Sequence, residues 1–171
     1  ALVSEEILKL IPAHVPAWSV GKRAGSHSFL QDEINTLIVD FAFQYGHVVR
    51  LKGGDPFIFG RGHEEIEYAA AHGIETFVVP GVSSALSVPA SIGIPLTKRG
   101  VSESFWIVTG TTKSKNISAD ISLAAQSTST VVILMGLSNI RQIMKIFQLY
   151  GKHDTPVAVI QNATLPGQRT V

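Results

Sequence analysis

The chain has 171 residues, of which 45% are hydrophobic, so it is long enough for one domain or two small domains with buried cores. Its formal net charge is +1 and no apolar run approaches the ~20 residues of a membrane span, so we expect no nucleic acid and no membrane as partner. The absence of cysteine excludes a thiol nucleophile, a thiolate metal site and a disulfide framework, and it fits a cytoplasmic protein.

The first part of the chain alternates helical and strand patterns. A serine followed by two glutamates predicts a capped helix over residues 4–10, and residues 17–20 are predicted to form a short strand. Apolar residues at helical spacing predict a helix over 31–45, which Gly46 ends. A β-branched run predicts a strand over 48–51.

The turn after that strand is the most informative segment of the chain. Gly53 and Gly54 allow a tight turn, Asp55 adds a carboxylate, and Arg61 lies shortly before two glutamates that open the next helix. In open α/β sheets, small ligands bind at the carboxyl ends of strands. Glycine and aspartate also form plain connecting turns, but the aromatic residues and the arginine that follow favour a binding loop. The segment is neither a P-loop nor a dinucleotide-binding fingerprint.

The same alternation continues through the middle of the chain. A helix over 64–72 is followed by a strand over 76–79 and by a helix of small residues over 83–91, which Pro89 interrupts. The next predicted strand covers 105–109.

The last part of the chain repeats the pattern with a helix over 118–126, a strand over 130–135, a helix over 138–150 and a strand over 156–161. Strands that alternate with helices predict an α/β protein with mostly parallel pairing.

Several polar residues near the predicted strand ends have both a plain and a functional interpretation. Ser83 and Ser84 can cap their helix, whose start also offers free N–H groups to a ligand. Met135 fits a core position, and its place at the carboxyl end of a strand also fits a ligand contact. Taken one at a time, the cations near the predicted loops fit solvated surface charges. Taken together, they fit a polyanionic, carboxylate-rich substrate. They are Lys22, Arg23, Arg61, Lys98 and Arg99.

Two classes of site are not expected from these residues. The six histidines lack metal-ligand spacing, so no metal site is predicted. No G-x-S-x-G elbow is present, which disfavours a serine hydrolase.

Seven motifs occur in one order along almost the whole chain. They are Val-Gly-Lys-Arg-Ala-Gly at 20–25, Val-Val-Arg-Leu-Lys-Gly-Gly-Asp-Pro-Phe at 48–57, Gly-Arg-Gly-x-Glu-Glu at 60–65, Val-Pro-Gly-Val-Ser-Ser at 79–84, Gly-Ile-Pro-Leu-Thr-x-Arg at 93–99, Met-Gly-Leu at 135–137 and Gln-Asn-Ala-Thr-x-Pro-x-Gln-Arg at 161–169. Together they closely resemble the uroporphyrinogen-III C-methyltransferase family of the tetrapyrrole methyltransferases.

The resemblance implies a fold of two α/β domains with mostly parallel sheets and a cofactor cleft between them. A break in the helix–strand pattern between Gly93 and Ser104 places the boundary. We therefore predict an N-terminal domain at 1–95, with the substrate site and part of the cofactor site, and an incomplete C-terminal domain at 96–171, with the cofactor pocket and dimer contacts. The family also implies a cytoplasmic homodimer.

The implied activity is C-methylation of uroporphyrinogen III at two pyrrole carbons, giving precorrin-2 for sirohaem and cobalamin. S-adenosyl-L-methionine is the implied cofactor and S-adenosyl-L-homocysteine the product. By motif position, Lys22 corresponds to a proton donor, Arg61 and Glu64 to substrate binding and proton handling, and Arg99 to a substrate carboxylate anchor. The implied cofactor-binding residues are Gly53, Gly54, Asp55, Ile58, Ser83, Ser84, Met135 and Ala163.

The sequence also departs from the family pattern. The first strand, its Gly-x-Gly-Pro-Gly-Asp loop with the catalytic aspartate, and the last strands are not in this sequence, so we expect it to be part of a longer protein. His63 replaces the usual glycine. Two alternatives therefore stay open. One is a sister methyltransferase of the same fold acting on another precorrin, RNA or protein, and the other is a non-catalytic, truncated ligand-binding fragment.

Overall fold

The computed structural model describes residues 3–21, 29–114 and 116–171. The chain divides into two compact units, Ala1–Ser83 and Ser84–Val171. The domain boundary and the domain roles predicted from the sequence stay predictions. In the described part of the chain, no helix is long and apolar enough to cross a membrane.

Three helices form the regular structure of the first unit: α1 (Glu5–Leu8), α2 (Gln31–Tyr45) and α3 (Gly62–Ala71). The hydroxyl of Ser4 accepts the Ile7 N–H at 3.4 Å and caps α1, as the sequence predicts. The bounds of α2 confirm the helix predicted over residues 31–45. Its apolar period and its terminal glycine are local signals, so they could be recognised in the sequence.

The contact between α2 and α3 holds the buried core of the first unit. Ile34, Val39 and Ala69 are its buried apolar side chains. The predicted strands over 17–20, 48–51 and 76–79 are not strands, because no described segment supplies a hydrogen-bonded ladder to them.

The second unit contains a β-α-β arrangement. Helix α4 (Ser84–Ser91) continues through Pro89, whereas the sequence predicted an interruption. Strand β1 (Phe105–Thr109), helix α5 (Asp120–Gln126) and strand β2 (Thr130–Leu134) follow. The two strands are parallel, from Phe105 opposite Thr130 to Thr109 opposite Leu134. This parallel pair with its crossover helix confirms the α/β class.

The core of the second unit lies where α5 and the next helix cover this strand pair. A 3₁₀ turn (Leu137–Asn139) leads into α6 (Ile140–Leu149), and the final pair is antiparallel, with β3 (Ile160–Gln161) and β4 (Arg169–Thr170). Buried apolar side chains form a cluster there, which contains Val108, Ile121, Ala124 and Ile143. The pair β1–β2 is thereby fixed, and its carboxyl ends lie side by side.

Candidate functional site

Two loops of the first unit meet backbone to backbone at the predicted glycine turn. Gly54 has a left-handed backbone with φ 77°, a conformation that glycine adopts without a Cβ penalty. A Cβ placed on Gly81 would lie 2.3 Å from the Gly54 carbonyl oxygen, so the loops can approach this closely only without that side chain. The result is a surface of bare peptide groups, which a ligand can approach directly.

The carboxylate of Asp55 holds these two loops together. Its Oδ1 accepts the N–H groups of Phe57 at 2.8 Å and Ile58 at 3.2 Å, and its Oδ2 accepts the Gly81 N–H at 3.2 Å. The hydrogen bond from Phe57 is the main cause that lowers the pKa of Asp55, aided by Gly81 and Ile58 and opposed by partial desolvation. Asp55 was predicted to contact the cofactor, and the structure gives its oxygens a loop-holding role.

The segment after Asp55 curls around the carbonyl of Pro56. A Cβ on Gly60 or Gly62 would lie 2.5 or 2.7 Å from that oxygen, and the Gly62 N–H donates to it at 3.0 Å. Between these glycines Arg61 has a left-handed backbone with φ 57°. The curl therefore requires the glycines on both sides of Arg61, and it brings Arg61 to the start of α3.

Arg61 and Glu64, which the sequence assigned to one function, form an ion pair. The guanidinium donates from Nε to Oε1 at 2.7 Å and from Nη2 to Oε2 at 2.6 Å, and both side chains are half exposed. The hydrogen bond to Glu64 is the first cause that raises the pKa of Arg61. Arg61 therefore stays charged and serves as an anion-binding group, since it cannot act as a base.

An open depression of about 380 Å³ surrounds this ion pair. It is lined by Phe57, Arg61, Gly62, His63 and Glu64. The His63 ring, which replaces the family's usual glycine, is exposed and pairs with Glu67 at 3.1 Å. This depression combines an aromatic face with charged groups, which suits a ligand that has both an apolar ring and carboxylates.

Met135, the predicted cofactor-binding residue next to the parallel pair of the second unit, lies directly after β2. Its backbone is left-handed with φ 56°, and its side chain is 57% exposed. Gly110 and Gly136 are in contact beside it, since a Cβ on Gly110 would lie 2.3 Å from the Gly136 Cα. The carboxyl edge of the parallel pair therefore also presents bare backbone.

Sequence reasoning missed the side chains that hold this edge. Asn139 Nδ2 donates to the Gly110 carbonyl at 3.1 Å and to Thr111 Oγ1 at 2.9 Å. The Thr111 hydroxyl in turn donates to the Met135 carbonyl at 3.2 Å. A usable signal existed, because Thr111 follows the end of β1 as Met135 follows the end of β2, and parallel strands bring such ends together.

The remaining predicted residues occupy different places. Ile58 is partly exposed beside Asp55, Ser83 is buried immediately before α4, and Ser84 is the first residue of that helix. Arg99 is exposed in the turn closed by the Lys98–Ser102 bridge, and Ala163 is half-buried in the loop between β3 and β4. Lys22 and Arg23 lie outside the described residues.

One further residue was missed in the first unit. The sequence singled out Glu64, but the adjacent Glu65 is the buried one, with only 6% exposure. It pairs with Lys52 at 2.9 Å and with Arg50 at 3.3 Å. Its neighbours come from another helix and from the segment before the glycine turn, so sequence spacing alone gave no sign of this cluster.

These features define an α/β protein whose glycine-lined, backbone-presenting loops lie at strand and helix termini, as in proteins that bind nucleotide-like small molecules. The model of the tetrapyrrole (corrin/porphyrin) methylase family matches residues 1–171, and the chain belongs to that family. The resemblance inferred from the seven motifs is thereby confirmed.

Named relatives agree with this family. The chain is 42% identical over 172 residues to the uroporphyrinogen-III C-methyltransferase of Methanocaldococcus jannaschii, covering 99% of this chain and 71% of that protein. It is 45% identical over 170 residues to the siroheme synthase of Actinobacillus pleuropneumoniae serotype 7, covering 99% of this chain but 35% of that protein. A solved Thermus thermophilus uroporphyrin-III C-methyltransferase, described as complexed with S-adenyl homocysteine, has a TM-score of 0.72 and 37% identity over 82% of this chain and 59% of that one.

Proposed function

We propose that this chain is the methyl-transfer part of an S-adenosylmethionine-dependent uroporphyrinogen-III C-methyltransferase. It would methylate two pyrrole carbons and give precorrin-2. The observation that carries this proposal is the Asp55-held pair of glycine loops, in a chain that is 42% identical to a relative of that name over nearly all of its length.

The loops of the first unit fit the cofactor. Bare backbone at Gly53, Gly54 and Gly81 can meet the polar groups of an adenosine and an amino acid, while the exposed Ile58 and Val82 can cover its apolar faces. The resemblance adds Asp55, Ser83, Ser84, Met135 and Ala163 to the proposed cofactor-binding set. When bound, S-adenosylmethionine would supply a methyl group already activated on a sulfonium.

The chain's own contribution is then alignment and exclusion of water. Loops held by side-chain hydrogen bonds position reactants without reordering at the moment of reaction. Such positioning can lower a barrier by about 7–11 kcal/mol. This reaction needs no metal, because the methyl donor is activated and the pyrrole ring is electron-rich.

Arg61 and Glu64 are the proposed substrate-handling pair. A substrate carboxylate would replace Glu64 on the Arg61 fork, which binds carboxylates through two parallel hydrogen bonds. Glu64 would then lie beside the bound ring as an acceptor for a proton that the macrocycle must lose, from a nitrogen or a bridging carbon, after the methyl group has been added to a fully substituted carbon. Arg99 is proposed as a further carboxylate anchor, and Lys22 as a proton donor.

The primary test is anaerobic incubation of the full-length protein with uroporphyrinogen III and S-adenosylmethionine, followed by product mass. We expect the mass of two added methyl groups. If no mass is added although calorimetry shows that S-adenosylhomocysteine binds, the proposed substrate is wrong. That result would favour the substrate of a sister methyltransferase in the same family.

Arg61→Ala separates substrate binding from cofactor binding. Truncating one partner of a buried, hydrogen-bonded charge pair costs about 2–5 kcal/mol, and the bound substrate is expected to cover the Arg61–carboxylate pair, so kcat/KM should fall at least ~30-fold. The Kd of S-adenosylhomocysteine should stay within about twofold, because Arg61 is not among the loop-holding groups. Arg141→Ala removes an exposed arginine of α6 and should change neither value. Near-normal turnover of Arg61→Ala would refute the assignment.

We also propose a cytoplasmic homodimer, as the resemblance implies. Sedimentation of the full-length protein tests the oligomeric state. A monomer that is fully active would contradict it.

A further inference from the structure

Glu65 is the most buried charged group in the described part of the chain, and it collects several donors. Its carboxylate accepts Lys52 Nζ at 2.9 Å on each oxygen, Arg50 Nε at 3.3 Å and Gln31 Nε2 at 3.2 Å. Lys52 is itself only 14% exposed. The neighbouring Gln31 also donates to Asn35, which is buried. The cluster thus joins α2, α3 and the segment before the glycine turn.

The positions of these residues along the chain make this cluster more than a packing contact. Lys52 immediately precedes Gly53, and Glu65 lies in the first turn of α3, immediately after the curl at residues 56–62. The Lys52–Glu65 pair therefore ties the two ends of the loop 53–61. Inside that loop, Asp55 is the side chain seen to hold the backbone, so the loop's orientation depends on where its ends are fixed.

Stability alone gives a poor reason for this pair. Replacing a buried ion pair with well-packed apolar residues is often neutral or stabilising, because desolvation offsets the attraction between the charges. The α2–α3 contact already has an apolar core in Ile34, Val39 and Ala69. The hydrogen bonds that Lys52 donates to both carboxylate oxygens restrict distance and direction more than an apolar contact does, so the pair suits a site that must hold a loop in one arrangement.

We propose that Glu65, through Lys52, is a positioning residue that sets the orientation of the loop 53–61 for cofactor binding. This inference rests on the proposed function, which assigns Gly53, Gly54 and Asp55 to the cofactor. Glu65 does not touch the ligand. It acts by keeping the turn at the place where Asp55 can reach the N–H groups of Phe57, Ile58 and Gly81.

The first test uses the ligand-free full chain and hydrogen exchange read by mass spectrometry. In Glu65→Gln, amides of residues 53–61 should exchange at least ~10-fold faster, because their open states become more populated. The matched control is Glu67→Gln, which removes an exposed glutamate from the same helix and should leave this exchange unchanged. Equal exchange in Glu65→Gln and the wild-type chain would overturn the proposal.

The second test separates positioning from stability. We expect Glu65→Gln to weaken S-adenosylhomocysteine binding by roughly 10–100-fold, because the apparent affinity falls with the fraction of molecules whose loop is in the binding-competent arrangement. The double variant Lys52→Met/Glu65→Leu removes both charges and should recover the wild-type Tm without recovering affinity. Arg50 keeps its bond to the Leu51 carbonyl there. Recovery of Tm and affinity together would show a structural role only and would overturn the proposal.

These outcomes also distinguish the two levels of inference. If the wild-type chain does not bind S-adenosylhomocysteine, the proposed function fails and the cofactor role of Glu65 fails with it. If the wild-type chain binds and Glu65→Gln binds equally well, only the positioning role fails. The hydrogen-exchange measurement tests the effect of Glu65 on the loop in the absence of any ligand.

Discussion

Arg61 and Met135 were both predicted from the sequence to contact ligands, and both have left-handed backbones, with φ 57° and 56°. This conformation costs a non-glycine residue about 1–2 kcal/mol, so the surrounding structure has to maintain it. Glycines on either side of Arg61, and Gly136 after Met135, allow the necessary close contacts. Strain of this kind concentrates at ligand-binding positions, which strengthens the assignment of both residues.

Asp55 makes the stability of the first unit depend on pH. Its pKa in the folded chain is lowered below 3.8 by backbone hydrogen bonds, first of all from Phe57. A lowered pKa means that the carboxylate contributes stability above its unfolded pKa, and that this contribution is lost as pH falls through the folded value. We therefore expect Asp55→Asn to be less stable than the wild-type chain near neutral pH, with the difference shrinking only as pH falls below ~4 and through the lowered folded pKa.

Urea unfolding followed from pH ~7 to pH ~2 measures this difference. Asp40→Asn, which changes an exposed aspartate of α2, is the control and should give parallel curves. A stability difference for Asp55→Asn that stays constant over the whole range would contradict the proposed role of the carboxylate.

At the scale of elements, the parallel pair β1–β2 determines which loops of the second unit become neighbours. Its register brings Thr109 and Leu134 to the same edge, so Gly110 and Gly136 pack against each other. Helices α5 and α6 cover the pair, and Ile121 and Ile143 are fully enclosed. The position of Met135 therefore depends on this core, because Ile143 lies close to the neighbouring Gly136.

Ile143→Ala tests how α6 packs on this core. Removing a large enclosed side chain should lower the free energy of unfolding by about 2–5 kcal/mol, because a cavity remains. Leu149→Ala on the same helix changes a side chain that is 83% exposed, and its effect should stay within about 0.5 kcal/mol. Chemical denaturation of both variants measures the values. Equal losses would show that α6 does not pack in the way described.

Local signals account for the elements that the sequence predicted well. The apolar period and Gly46 predicted α2, and the β-branched run that begins at Thr130 predicted β2. Each of these signals lies within a few residues of the chain. The segments at 48–51 and 76–79 carry equally apolar runs but form no ladder. A strand requires a partner from elsewhere in the chain, which no local pattern reveals.

The dependence on contacts from elsewhere in the chain also explains which residues of the site could be predicted. Gly53, Gly54 and Asp55 could be found because turn chemistry is local. Glu65 was passed over in favour of Glu64, because only the position of α2 decides which of two adjacent glutamates faces the interior. Thr111 and Asn139 were missed for a related reason, since their role depends on the pairing of β1 with β2.

At the scale of the whole molecule, a net charge of +1 gives almost no long-range attraction for a polyanion. Under the proposed function, recognition of the carboxylate-rich uroporphyrinogen III would therefore come from individual cations such as Arg61 and Arg99. Both are exposed, so their attraction for a carboxylate is open to screening by salt. The loops proposed to bind the cofactor would do so through backbone groups, which salt affects far less.

Ionic strength should therefore separate the two binding events. The Debye length falls from about 10 Å at 0.1 M to about 3 Å at 1 M salt. Over this range we expect the KM for uroporphyrinogen III to rise several-fold, while the Kd of S-adenosylhomocysteine stays nearly constant. In Arg61→Ala the salt dependence of KM should be weaker, because one of the screened contacts is already missing. A KM that is independent of salt in the wild-type chain would mean that exposed cations do not recognise the substrate, and its binding would have to depend on apolar contacts such as Phe57.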